Sequence, residues 1–129
     1  MKRLMRFLLG LLFLVAGVNH FFSTDFYVNI MPGYLPMHRE LVYLSGVTEI
    51  AAGAMLFFGA TVRIGAWGIV AMLVVFLLVH VDMIVQHPDK HPKIAAEFLY
   101  LRLVLQFPMI AWAWWFTRPE RKATVETTA

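Results

Sequence analysis

The chain has 129 residues, 60% of them hydrophobic and 15% charged, with a formal net charge of +3 and a mean hydropathy of +0.71. A water-soluble domain of this size cannot hide that much apolar surface in its core, so the composition selects a membrane protein. The small charge, with no basic stripe across a folded face, excludes a nucleic-acid partner. The absence of cysteine excludes a disulfide framework, a CxxC redox pair, a thiolate-bound metal and a lipoprotein anchor.

Met1 to Phe22 opens with Lys2, Arg3 and Arg6 and continues as an apolar run. The run is long for the apolar region of a cleaved signal peptide and lacks a clear A-x-A site. It is read as a first transmembrane helix, residues 4–22. Ser23, Thr24 and Asp25 then punctuate the chain. The stretch from Phe26 to Pro36 is too apolar for a solvated loop, and too short and proline-rich to span a bilayer. It reads as an interfacial or partly re-entrant segment at the bundle mouth.

A second helix is predicted over residues 39–60 and a tight turn at Thr61 to Arg63. A third helix follows over 64–86, then a polar loop from His87 to Lys93 and a fourth helix over 94–116. The expected fold is all-α: one domain, residues 1–117, forming a four-transmembrane-helix bundle with a Pro-rich interfacial segment between helices one and two. Residues 118–129 form a polar tail. Each run approaches the ~20 residues that cross ~30 Å of hydrocarbon. Four spans place both termini on one side together with Lys2, Arg3, Arg6, Arg63, Arg118, Arg121 and Lys122. The positive-inside rule makes that side cytoplasmic, in a bacterial inner membrane. Trp67, Trp112, Trp114 and Trp115 then fall toward the inner face, and Tyr27, Tyr34, Tyr43 and Tyr100 toward the outer face.

Gly10 and Gly17 in the first helix, and Gly46, Gly53 and Ala60 in the second, recur every seven residues. Such a stripe favours a close helix pair, although glycine is also common in membrane helices generally.

At ~1.5 Å per residue, His20 lies within a turn of the outer surface, Glu49 ~15 Å below it, and Arg102 ~12 Å below it, with Gln106 one turn deeper. His80 and Asp82 lie one to two turns deep. The strongly polar intramembrane side chains are thus gathered in the outer half or near mid-depth. Glu49 and Arg102 are closest in depth and opposite in charge, so they are expected to meet. One reading is an ion pair that only locks two helices together. The other is a ligand pocket formed by His20, Glu49, His80, Arg102 and Gln106, with a lid of Met31, Pro32, Tyr34 and Pro36, suited to a quinone or another small polar headgroup. His87 and His91 have a metal-like spacing, but Pro88 and Pro92 break helical geometry and no third ligand is evident, so no metal is assigned. A haem between His20 and His80 has no attachment motif to support it.

Several motifs carry a resemblance. They are Gly17-x-x-His20-Phe21, Ile30-Met31-Pro32-x-Tyr34-Leu35-Pro36 and Leu41-Val42-Tyr43-Leu44-Ser45-Gly46-x-x-Glu49-Ile50-x-x-Gly53, followed by Arg63-x-x-Ala66-Trp67-Gly68 and Leu101-Arg102-Leu103-x-Leu105-Gln106. Together they resemble the DoxX family of small bacterial membrane proteins over nearly the whole chain. The resemblance implies four membrane helices and an association with quinone-linked redox chemistry. The chain departs from it at Leu78 to Met83, where relatives commonly read Pro-Ala-Asn-x-x-Met, and at Val104, where relatives often have proline. The expected function is a redox-associated accessory or ligand-binding subunit with an outward-facing polar pocket. The alternatives are a quinone-dependent oxidoreductase in its own right or a small transporter. Enzymatic activity stays open: no flavin or nucleotide motif is present, so electron transfer would need a bound cofactor, for which a quinone is the candidate. The bilayer is the partner that the composition requires; a redox partner protein and a homo-oligomer stay open.

Overall fold

The computed structural model describes residues 1–87, 89, 92 and 94–119; His91 of the histidine spacing and the tail from residue 120 lie outside the described residues. Among the described residues there are five helices and no strand: α1 (Lys2–Phe22), α2 (Thr24–Ile30), α3 (His38–Met55), α4 (Val62–Gln86) and α5 (Ala96–Trp115).

α1 ends at Ser23, whose φ of −117° and ψ of 36° leave the helical region. The Thr24 hydroxyl then donates to the carbonyls of His20 (2.8 Å) and Phe21 (3.1 Å), groups that a helix end leaves open. The segment expected to be interfacial therefore begins as the seven-residue helix α2. No amphipathic period can announce a helix of two turns, which is why the sequence does not reveal it. α2 stops because Met31 precedes a proline and is held extended, at φ −64° and ψ 138°. Asp25 on α2 and Arg39 on α3 form an exposed ion pair at 2.9 Å. Met37 takes a left-handed φ of 50° and turns the chain into α3, at a cost of roughly 1–2 kcal/mol for a residue with a Cβ.

α3 is regular only as far as Met55, against an expected end at residue 60. The Thr61 hydroxyl donates to the Met55 carbonyl at 2.8 Å, and Leu56 to Thr61 close as turns instead of extending the helix. α5 runs through Pro108, whose ring removes the N–H that would reach the Val104 carbonyl.

The four long helices pack in the order α1, α3, α4, α5. α1 and α3 approach most closely, through two glycine pairs. A Cβ on Gly17 would stand 2.7 Å from the Gly46 carbonyl, and one on Gly10 would stand 2.9 Å from the Gly53 carbonyl. The partner numbers rise on one helix as they fall on the other, so the pair is antiparallel. Four members of the seven-residue stripe thus form this seam, while Ala60 lies beyond α3. α4 meets α3 through Gly65, where a Cβ would come 2.8 Å from the Ala52 carbonyl.

Two apolar clusters bracket the interior. At the end where α1 begins and α5 finishes, Leu9, Phe13, Leu56, Ile69, Leu73, Ala113 and Phe116 pack together. At the other end Ile30, Met83 and Leu99 pack beneath α2. Outside these clusters the long helices expose apolar side chains, among them Val15, Leu44, Val75 and Val104. α1 and α4 are each long and apolar enough to cross a membrane.

Candidate functional site

Between the two clusters lies a cavity of about 260 Å³. It is walled by α1, α3, α4 and α5 and roofed by Tyr27, Ile30 and Met31 of α2 and its end. Leu12, Phe13, Val42, Leu73, Phe76 and Val79 give it a largely apolar wall. The structure brings His20, Glu49, His80, Arg102 and Gln106 together around this one space.

The lid residues divide. Met31 reaches the cavity and Pro32 is buried, whereas Tyr34 and Pro36 are exposed and do not line it. Tyr34 lies instead over a separate groove with Leu78, Val81 and Asp82. Asp82 is therefore not part of the cavity, and its Oδ2 is buried there without a hydrogen-bond partner.

The expected ion pair is corrected in one partner. Glu49 and Arg102 share the cavity, but the ionic neighbour of Glu49 is His20, with Nδ1 at 2.9 Å from Oε2. The reason is the glycine seam. Side chains on a helix tilt toward its N-terminus. On antiparallel helices in close contact, His20 leans from one direction and Glu49 from the other, and they converge. The stripe in the sequence was the signal that could have found this pair.

The contact is ionic without being a well-aligned hydrogen bond. The His20 Nδ1–H donates to the Ala16 carbonyl at 2.8 Å. Oε2 of Glu49, on a residue only 3% exposed, is left without an aligned donor. An unsatisfied buried carboxylate oxygen is costly, so this atom is suited to receive a donor from whatever fills the cavity. Tyr27 fixes the imidazole from the other side: the rings stack at 4.0 Å and 10°, and the Tyr27 hydroxyl accepts from Asn19 Nδ2 at 2.8 Å. Tyr27 was expected only as an interfacial aromatic, and its role in the site depends on α2.

His80 repeats the arrangement of His20. Its Nδ1–H donates to the Phe76 carbonyl at 2.7 Å, which leaves Nε2 of both histidines without a protein partner among the described residues. Gln106 donates from Nε2 to the Leu73 carbonyl at 2.8 Å and ties α5 to α4. The close contacts of Arg102 are soft ones: the Met83 sulfur 3.7 Å from Nη1, and the Phe98 ring centroid 5.8 Å from the guanidinium carbon. It makes no ion pair among the described residues. Arg102 lines the cavity, and a guanidinium carries five N–H donors.

The arrangement can hold a small acceptor-bearing group. It offers one permanent cation, two imidazole nitrogens and a carboxylate–imidazole pair within an apolar wall. At ~30 Å³ per water-sized group, 260 Å³ holds roughly eight or nine such groups, enough for a substituted ring or a headgroup with a short length of chain.

No curated protein and no solved structure matches the chain. The family model described as a domain of unknown function (DUF8561) matches residues 9–117, and the chain belongs to that family.

Proposed function

We propose that this protein is a four-span inner-membrane protein that holds the polar head of a lipid-soluble small molecule between its helices, as a ligand-binding or accessory subunit. The observation that carries the reading is the inverted distribution of polarity. His20, Glu49 and Gln106 are buried, while α1, α3, α4 and α5 all expose leucine, valine or phenylalanine. In water that arrangement would be strongly unfavourable; in hydrocarbon it is the favourable one. α3 and α5, at 18 and 20 residues, extend ~27 and ~30 Å, close to a bilayer core.

The orientation follows from charge. Lys2, Arg6, Arg63 and Arg118 surround a second cavity, of about 280 Å³, at the end where α1 begins and α5 finishes. The positive-inside rule makes that end cytoplasmic and turns α2 toward the outer face. The motif resemblance to DoxX proteins makes a quinone one candidate occupant and a redox partner protein one candidate partner. The outward-facing pocket of that reading becomes a chamber roofed by α2.

The test is to purify the protein in mild detergent, record its visible spectrum and identify co-purifying small molecules by mass spectrometry. A colourless preparation carrying a stoichiometric lipid-soluble compound is expected. Its loss in a variant that fills the cavity would place it there. A haem or flavin band would support an enzyme instead, and a preparation with no stoichiometric compound would refute occupancy.

A further inference from the structure

We infer that the cavity opens into the bilayer through the seam between α1 and α5, and that its occupant is a single-chain amphiphile with a carboxylate-type head held by Arg102. The inference rests on the cavity binding a lipid-soluble molecule, and it names the route and the headgroup charge.

The route is read from the sparse packing of α1 against α5 and from the one exposed residue of the lining. α2 covers the outer end, where Ile30 packs with Met83 and Leu99. Leu9, Phe13, Ala113 and Phe116 close the inner end. Glycine contacts join α1 to α3 along their length and α3 to α4 at the inner end, and the Gln106 bond to the Leu73 carbonyl joins α4 to α5. α1 and α5 are the remaining neighbours, and they do not pack along their length. They meet at the inner end, where the Lys2 ammonium lies 5.8 Å from the Trp115 ring centroid. The one exposed residue of the cavity lining is Leu12 of α1, at 43%. Leu12 lies midway along α1, so the mouth opens at the depth of lipid chains and not of water.

The headgroup follows from charge. Glu49 already has His20 as its ionic neighbour, at 2.9 Å. Arg102 faces the same space with no carboxylate partner among the described residues. A guanidinium cannot discharge itself. A bound monoanion cancels its charge, whereas a neutral carbonyl only accepts a hydrogen bond. The volume of about 260 Å³ admits a carboxylate and the first few carbons, so the rest of the chain must leave through the mouth.

The test uses the full chain in phosphatidylcholine nanodiscs. The probes are a long-chain fatty acid with a photoreactive diazirine in its chain and the matching fatty alcohol. Crosslinks are mapped by peptide mass spectrometry. The acid is expected to label the Leu12 and Met109 regions about tenfold more than the alcohol, as a charge-assisted bond predicts. Arg102→Gln should abolish the preference and Arg102→Lys should restore it. Leu12→Trp should reduce labelling by both probes. Unlabelled hexadecanoate should compete and butyrate should not. Equal cavity labelling by acid and alcohol would overturn the anionic head while leaving the binding cavity intact. Competition by butyrate as effective as by hexadecanoate would overturn entry from the bilayer. No cavity labelling by either probe would overturn both this inference and the functional reading beneath it.

Discussion

His20 and Glu49 should behave asymmetrically when either is removed. In His20→Phe the ring still stacks on Tyr27, as at the native 4.0 Å separation, but the nitrogen 2.9 Å from the Glu49 carboxylate is gone. A carboxylate left alone in an apolar interior costs about 3–5 kcal/mol. In Glu49→Leu the imidazole can stay neutral and keep its bond to the Ala16 carbonyl at 2.8 Å, so no charge is stranded. That change should cost under ~1 kcal/mol. The double variant should unfold close to Glu49→Leu, giving a coupling of about 3–5 kcal/mol, the whole of the His20→Phe loss. Unfolding in mixed detergent micelles, followed by the fluorescence of the four tryptophans, measures all three. The same cycle on Glu49 and Arg102, which make no ion pair, should give a smaller coupling. Equal losses from the two His20 and Glu49 single variants, or an additive double variant, would refute the pairing.

The glycine seam predicts that Gly17→Val lowers stability by about 1–3 kcal/mol, because a Cβ there would lie 2.7 Å from both the Gly46 carbonyl and Ile50 Cγ1. A Cβ on Gly59 meets nothing within 4 Å, so Gly59→Ala should leave the unfolding midpoint unchanged or raise it slightly. Gln106→Leu should cost about 1 kcal/mol through the lost bond to the Leu73 carbonyl, read by the same unfolding assay. The chain has no cysteine, so Gly33→Cys and Gly59→Cys can be labelled in the native background. Both positions have room, and a membrane-impermeant maleimide should reach residue 33 in spheroplasts but residue 59 only after lysis; labelling of both from one side would exclude a crossing by α3.

The five polar side chains that depth along the sequence singles out line one cavity in the structure. Depth could not choose the neighbour of Glu49. Depth is one coordinate, and rotation about each helix axis is another. Arg102 fits the depth better, but the contact of Gly17 with Gly46 brings α1, and not α5, against α3. The end of α1 was legible, because Ser23 punctuates the chain there. The end of α3 was not legible at Met55, where a threonine hydroxyl six residues away takes the terminal carbonyl and apolar Leu56 to Phe58 give no warning. The left-handed Met37 is likewise invisible in sequence, since methionine carries no signal for that conformation.

The cavity itself follows from uneven packing. α1 presents Gly10 and Gly17 to α3, while α5 contains no glycine from Ala96 to Trp115. Close approach is therefore possible on one side of α1 and blocked on the other by the bulk of α5. The space left over is where the polar groups collect. If that is so, filling it should help the fold and harm the function. Ala16 lines the cavity from α1, and Ala16→Leu should stabilise the protein by about 0.5–2 kcal/mol, as cavity-filling changes commonly do. The same variant should lose the co-purifying compound. Destabilisation with the compound retained would mean that the space is not standing open, and that the α1–α5 seam is already filled by packing.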